Sequence, residues 1–358
     1  MRNFFLLLVF GLSVSLAYGQ KPRTQFNGFG HIEHQFDPGE GHEKSANFTI
    51  GEHDFFVTSA INNKISFLGE YVIRFNSNSA TTFLPSIERS FLKFNYYKNH
   101  NIIVGKVHTP VNYWNDVYHH GRLFFPVIER PIAFSHLVPL HTTGVQFQGQ
   151  NLGDANFGYD IVYGNGISSS DGLPNEWLPS ITAAVHFKPK PNFRIGASYY
   201  HSLVRNAVRG SHVGHLNPRN VEYTGPIYKG DVRFNLFSAS AAYFGDKVEV
   251  LDEFSYNHTQ SDSLGGANNF SNFLYAGYRI NEKSVPFIQV DFMHISRADL
   301  YTYPYNVSQI AIGYRHEFSP YVNLKVEADF QKFDRYTQPA EESRHHHVKL
   351  KVQLAYGF

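Results

Sequence analysis

The chain has 358 residues, with 31 Lys and Arg against 30 Asp and Glu, a balance that excludes the basic footprint of a nucleic-acid-binding protein. It has no Cys, which removes disulfide scaffolds and thiolate metal or nucleophile chemistry. Phe and Tyr number 33 and 23, yet mean hydropathy is only −0.32, so the aromatic residues must be interleaved with polar ones.

At the N-terminus, Arg2 precedes the apolar run Phe4–Leu16 and the small-residue site Ala17-Tyr18-Gly19. That layout predicts a secretory signal peptide over 1–19 and a mature chain over 20–358. Beyond it no stretch reaches the ~20 consecutive apolar residues that a membrane helix requires.

Instead a period of two recurs from segment to segment, the signature of strands with one oily and one wet face. Ile65, Phe67, Tyr71, Ile73 and Phe75 oppose Ser66, Glu70, Arg74 and Asn76. Phe193, Ile195, Ala197 and Tyr199 oppose Arg194 and Ser198, and Val232, Phe234 and Leu236 oppose Asp231, Arg233 and Asn235. Val322, Leu324, Val326, Ala328 and Phe330 oppose Asn323, Lys325, Glu327, Asp329 and Gln331. Strands are predicted at 24–36, 48–61, 65–76, 87–97, 101–107, 143–152, 155–164, 180–188, 193–203, 231–244, 247–258, 270–280, 285–295, 307–318, 322–336 and 345–358. Segments 48–61 and 101–107 alternate poorly, and Asp252 falls on the apolar face of 247–258.

The connections alternate between short and long. Short ones at 62–64, 98–100, 153–154, 189–192, 245–246, 281–284 and 319–321 carry the Gly, Asn, Asp and Pro of hairpin turns. Long ones span about 37–47, 77–86, 108–142, 165–179, 204–230, 259–269, 296–306 and 337–344. This asymmetry and an even strand count predict an all-β fold: a closed, antiparallel, up-and-down transmembrane β-barrel of about sixteen strands. Closure pairs every backbone group, the condition for β-structure in lipid.

The longest connection, 108–142, is stiffened by Pro110, Pro126, Pro131 and Pro139. It is entered by Gly105-Lys106-Val107-His108-Thr109-Pro110, then Tyr113-Trp114-Asn115. This run resembles the strand-to-loop motif of the phosphate-selective and related substrate-specific porins. Pro131 and Thr143-Gly144-Val145-Gln146-Phe147-Gln148-Gly149 are similar to the place where that family's loop returns to the wall. The resemblance implies a trimeric outer-membrane porin, a water-filled channel for passive diffusion of small hydrophilic solutes or ions, narrowed by this loop folded into the lumen. Lys106, His108, Asn112, Asn115, Asp116, His119, His120 and Arg122 are then the candidates for the pore constriction.

Alternation places Glu70, Arg74, Lys93, Arg194, Arg233, Arg315, Lys325, Glu327, Lys349 and Lys351 on the lumen-lining face. The signs are mixed, which departs from the cationic funnels of the phosphate-selective pattern. Selectivity follows rings of like charge at the narrow point. Weak selectivity, mildly favouring anions, is expected.

Among 20 histidines, the densest clusters are His345-His346-His347 and His119-His120, with His212 and His215 sharing a loop. Consecutive residues of a strand point to opposite faces, so these read as polar rim residues, and neither a metal nor another cofactor is expected. The same rule separates His201 from Ser202, and Asp116 with His119 is the other start for a catalytic pair. The chain reads as non-enzymatic, with a barrel hydrolase and a plugged-lumen adhesin or scaffold as alternatives.

At the C-terminus Val348, Leu350, Val352, Leu354, Tyr356 and Phe358 oppose Lys349, Lys351, Gln353, Ala355 and Gly357. This ending resembles the terminal strand by which outer-membrane barrels are recognised. It implies a bacterial outer-membrane location, a lipid surround and the barrel-assembly machinery as a partner through Phe358. Tyr96-Tyr97, Tyr199-Tyr200, Phe318 and Tyr356 are expected in the aromatic girdles.

Overall fold

The computed structural model describes residues 22–38, 45–75, 83–119, 121–167, 178–209, 227–303, 305–338 and 341–358. The predicted signal peptide, His120, His212 and His215 lie outside them. Sixteen strands form one closed antiparallel barrel in which each pairs with its neighbours in sequence. They are β1 (Arg23–Asp37), β2 (Ser45–Ala60), β3 (Ile65–Phe75), β4 (Phe83–Tyr97), β5 (His100–His108), β6 (His141–Leu152), β7 (Phe157–Asn165) and β8 (Pro179–Lys190). The second half has β9 (Phe193–Val208), β10 (Lys229–Phe244), β11 (Val248–Ser261), β12 (Gly265–Tyr278), β13 (Ser284–His294), β14 (Tyr305–Ser319), β15 (Val322–Gln338) and β16 (Glu341–Gly357).

Closure is made by β1 against β16, from Phe29 opposite Gly357 to Phe36 opposite Leu350. The terminal residue completes it: Phe358 N donates to Gly28 O at 2.8 Å and Gly28 N donates to Phe358 O at 2.9 Å. No edge strand is left to template aggregation. Strand β15 displays the partition that the period of two predicts. Val326 and Phe330 are exposed on the outer face, while Asn323, Lys325, Glu327 and Asp329 are buried inside.

Three features differ from the sequence reading. The connection expected at 259–269 is a tight turn, because β11 runs to Ser261 and β12 begins at Gly265, where φ is +77°. The ladder continues into it, with Asn257 opposite Asn269 and Ser261 opposite Gly265. The second correction concerns Arg233, placed on the lumen face by alternation. It is on the outer face, and Val232, Phe234 and Leu236 are the buried, inward residues. Tyr200 is likewise inside, packed with Phe234 and Val204, and does not join the girdle. An apolar residue faces inward where the lumen itself is filled with apolar loop, so the rule that oily faces point to lipid fails there.

Between β6 and β7, Gly144 stands directly opposite Gly164. A Cβ on Gly144 would run into the Tyr163 carbonyl, and one on Gly164 into that of Thr143. Gly144→Val is therefore expected to lower stability by about 1–3 kcal/mol or more, the usual cost of overpacking. The check is the urea concentration at which the folded, heat-modifiable gel band disappears; an unshifted midpoint refutes it.

Candidate channel constriction

The loop between β5 and β6 leaves the wall at a zipped neck. Thr109 N donates to Leu140 O at 3.0 Å, and the hydroxyls of Thr109 and Thr142 meet at 2.8 Å. The chain then crosses the lumen. Asn112 adopts φ +62°, a conformation Asn tolerates better than most residues, and its Nδ2 donates to Ser255 Oγ at 2.9 Å. Trp114 opens one wide helical turn, Trp114–Tyr118, and its N–H donates to Glu253 Oε2 at 3.0 Å. The buried indole packs edge-on against Phe125 and Phe273, with centroids 4.8 and 5.3 Å away.

The loop's far side is held by charged residues of the opposite wall. Lys325 Nζ donates to Arg122 O at 2.5 Å, Asn323 Nδ2 to Leu123 O at 2.6 Å and Arg315 to Pro126 O at 3.2 Å. Ile128 N donates to Glu327 Oε2 at 2.9 Å, and Ile132 N to Asp291 Oδ2 at 2.7 Å. Lys351 Nζ bridges Asp329 and Glu129, the latter at 2.7 Å, and Arg130 pairs with Glu52 at 2.6 Å. Burial pushes the Glu129 carboxyl up, but the Lys351 ammonium and the Arg122 guanidinium outweigh it and hold it below the usual carboxylate range. Side chains of the wall thus satisfy backbone groups of the loop at Arg122, Leu123, Pro126, Ile128 and Ile132, as burial demands.

Arg315, Lys325, Glu327 and Lys351 thus do not border open water, as expected from the strand pattern; they are buried and grip the loop. Of the other predicted lumen residues, Glu70 pairs with Arg89, Arg74 with Glu52 and Glu88, and Lys349 faces Asp329 across the ladder. Lys93 lines a cavity of about 440 Å³ together with Arg23, Gln25, Thr58 and Ser66, toward the strand ends that carry the short turns.

A second segment, between β13 and β14, also enters the lumen. Asp299 is fully buried, and its carboxylate accepts from Thr259 and Asn269 at 2.7 Å and from the N–H groups of Tyr301 and Thr302 at 2.8 and 2.6 Å. Leu300 and Tyr301 pack on Val111, Val138, Val204 and Val232. Sequence reading gave 296–306 as a long connection but not as one that enters the lumen, although Asp299 two and three residues before those amides is the signal of a tight turn.

The predicted constriction residues divide. Asn115, His119 and His108 come together at the loop root, with Asn112 and Asp116 on the adjoining stretch. Lys106 does not join them: its ammonium donates to Ile87 O of β4 at 2.5 Å. Arg122 turns back onto its own loop, donating to Ile128 O and lying 5.3 Å over the Phe125 ring. Beside the loop, a cleft of about 20 Å³ is bounded by Asn112, Tyr113 and Asp116 and by Asp160, His186 and Arg194 of the wall. That is room for about one water. Arg194 pairs with Asp116 across it and lies 5.1 Å over the Tyr113 ring. The sequence-level catalytic starts do not assemble. Ser202 is buried inside, whereas His201 bonds Asn235 at 2.9 Å, and Asp116 is taken by Arg194.

The same closed barrel occurs in solved outer-membrane proteins. The anion-selective porin from Comamonas acidovorans superposes with a TM-score of 0.67 at 10% identity, covering 94% of this chain and 100% of that one. The chain has the porin fold. The outer membrane channel DcaP of Acinetobacter baumannii shares that porin fold with a TM-score of 0.65, 12% identity and coverage of 95% and 99%. The trimer form of OmpT, an outer membrane protein of Vibrio cholerae, does so with 0.62, 11% identity and 95% and 100%. No protein-family model and no curated protein matches the sequence.

Proposed function

We propose that the protein is a bacterial outer-membrane porin, a passive, non-enzymatic and narrow channel for ions and small hydrophilic solutes. The observation that carries this reading is a closed sixteen-strand barrel whose lumen is crossed by a loop anchored to the opposite wall. A polar interior lowers the cost of moving a hydrated solute through lipid, and an anchored loop sets the width of the path. The cleft beside Asp116 and Arg194 is the narrow point; Arg194 neutralises Asp116 there, and the second carboxylate, Asp160, is held by the amides of Gln146 and Gln148. Selectivity is accordingly weak, tipped toward anions where Arg194 and Lys93 line the way. The Comamonas neighbour is described as anion-selective and the Vibrio neighbour as having a trimer form, which supports carrying both properties to this chain as proposals. Assembly would use the terminal strand ending on Phe358, after removal of residues 1–19 as a signal peptide.

The test is planar-bilayer recording of the purified protein, with reversal potentials in a salt gradient. Discrete steps with a small shift toward the anion potential are expected; strong cation selectivity refutes the charge reading. The small cleft favours a second reading, a plugged barrel acting as a scaffold, and silence in the bilayer from correctly folded protein would decide for it.

A further inference from the structure

We propose that His108, His119, His141 and Glu88 bind one divalent transition-metal ion of the zinc class at the root of the inward loop. The candidate ligand atoms of the three histidines lie within 4.8 Å of one another. They come from separate places: His108 and His141 are the last cross-strand pair of β5 and β6, and His119 follows the helical turn of the loop. Around a tetrahedral zinc, with Zn–N bonds of ~2.0–2.1 Å, ligand atoms stand about 3.4 Å apart. Small side-chain rotations close the difference. Glu88 supplies a fourth donor, its Oε2 lying 2.9 Å from His141 Nε2 and 4.0 Å from His119 Nε2.

The surroundings orient these donors as second-shell partners orient metal ligands. Asn115 Nδ2 donates to the carbonyls of Thr109 and Leu140 at 2.7 and 3.1 Å, which fixes its amide. Its Oδ1 therefore accepts the proton of His119 Nδ1, at 2.6 Å, and turns the lone pair of Nε2 toward the cluster. Glu88 is fixed in the same way. Its Oε1 accepts from Arg74 at 3.0 Å and from Ser86 at 2.5 Å, leaving Oε2 on the histidine side. Glu88 reaches that position because it is the extra residue of a bulge: Glu70 opposes Arg89 while Tyr71 opposes Ile87.

His108 and His119 stack with centroids 3.6 Å apart, closer than two imidazolium charges would settle, and neutral imidazole is the ligating form. Three guanidinium groups stand near the cluster, Arg74, Arg89 and Arg130, and three carboxylates, Glu88, Glu70 and Glu52, pair with them, which offsets their repulsion of a cation. His119 also holds φ +42° and ψ −90°, a sparsely populated conformation of the kind that collects at functional sites. Imidazole with carboxylate suits zinc, copper or nickel rather than calcium or magnesium. Bound there, the ion would tie the loop to both strands of its neck and to β4.

Binding is measured on detergent-folded protein by calorimetry with zinc chloride, a readout that does not depend on conduction. One equivalent per chain is expected. It should be lost in His119→Gln and His141→Gln and kept in the double variant His346→Gln/His347→Gln, which controls for the adjacent histidines of β16. Asn115→Ala, acting only through the orientation of His119, should weaken binding by roughly 10–100-fold. Should a histidine variant fail to fold, the electronic spectrum of the cobalt-loaded wild type decides by itself: a tetrahedral visible band supports the site. No stoichiometric binding, binding that persists in His119→Gln, or a purely octahedral cobalt spectrum overturns it. The cluster would then be a hydrogen-bonded brace and nothing more.

Discussion

Lys351→Met lowers the stability of the folded barrel by about 3–5 kcal/mol, the cost of removing one partner from a buried ion pair. The Lys351 ammonium is almost fully buried between Asp329, which is fully buried, and Glu129 of the loop at 2.7 Å. Glu327, also buried, adds a third carboxylate to the same cation. Methionine fills the volume without the charge, so the loss isolates electrostatics from packing. Trp114, buried in the loop, reports the change in a Trp177→Phe background, because its fluorescence shifts when the loop tip lifts. The urea midpoint should fall, and adding Asp329→Asn should restore part of it by removing an orphaned charge. A midpoint within ~0.5 kcal/mol of wild type, the range of an unremarkable surface change, would show that the grip on the loop lies elsewhere.

The barrel was legible because lipid and enclosure impose opposite chemistry on alternate residues. Val322 to Gln331 states that rule without exception, and β15 follows it. Poorly alternating stretches were poor for local reasons. Around 48–61, β2 buries Asp54 while Phe55 is exposed, and its register with β1 slips between Gly30 and Ile32. Asp252, on an outward position of β11, is met by Asn272 of β12 at 2.8 Å. The site was only half legible. The loop's length, prolines and aromatic residues marked it as a special segment, and Asn115 and His119 do sit at its root. What it would touch could not be read, since its partners Glu253, Asp291, Glu327 and Lys351 lie 139 to 222 residues away in sequence. Charges on the wet face of a strand look alike whether they border water or hold a loop. The same limit hid the histidine cluster, whose members are never adjacent in the chain, whereas histidines 345–347 are adjacent in sequence and, as strand residues, alternate between faces.

Replacing Phe125–Ile128 by a Gly-Ser-Gly-Ser segment should raise single-channel conductance severalfold while the barrel still forms. The ladder does not include these residues, and each strand pair closes without them. What they supply is the apolar wedge of the loop: Phe125 and Val127 pack with Trp114 and Phe134 against Leu251, Phe273, Tyr275 and Phe287 of the wall. Deleting a buried Phe alone costs about 3–5 kcal/mol when the surroundings cannot collapse, and a rigid barrel cannot. Two backbone anchors in the segment, the Pro126 carbonyl on Arg315 and the Ile128 amide on Glu327, keep their atoms but lose the proline stiffness and the packing that hold them in place. The loop stays tied at its neck, at Trp114 N–H and at the Leu123, Glu129 and Ile132 anchors on either side, so the segment between them loosens without the loop being lost. Water enters the space the apolar wedge filled, in a barrel of a size that leaves an aqueous channel wherever loops do not occupy it. Reversal potential should move little, because Asp116 and Arg194 stay in place beside the path. Conductance equal to wild type, from protein shown to be folded by its gel mobility, would mean that the path runs elsewhere and that this loop does not set its width.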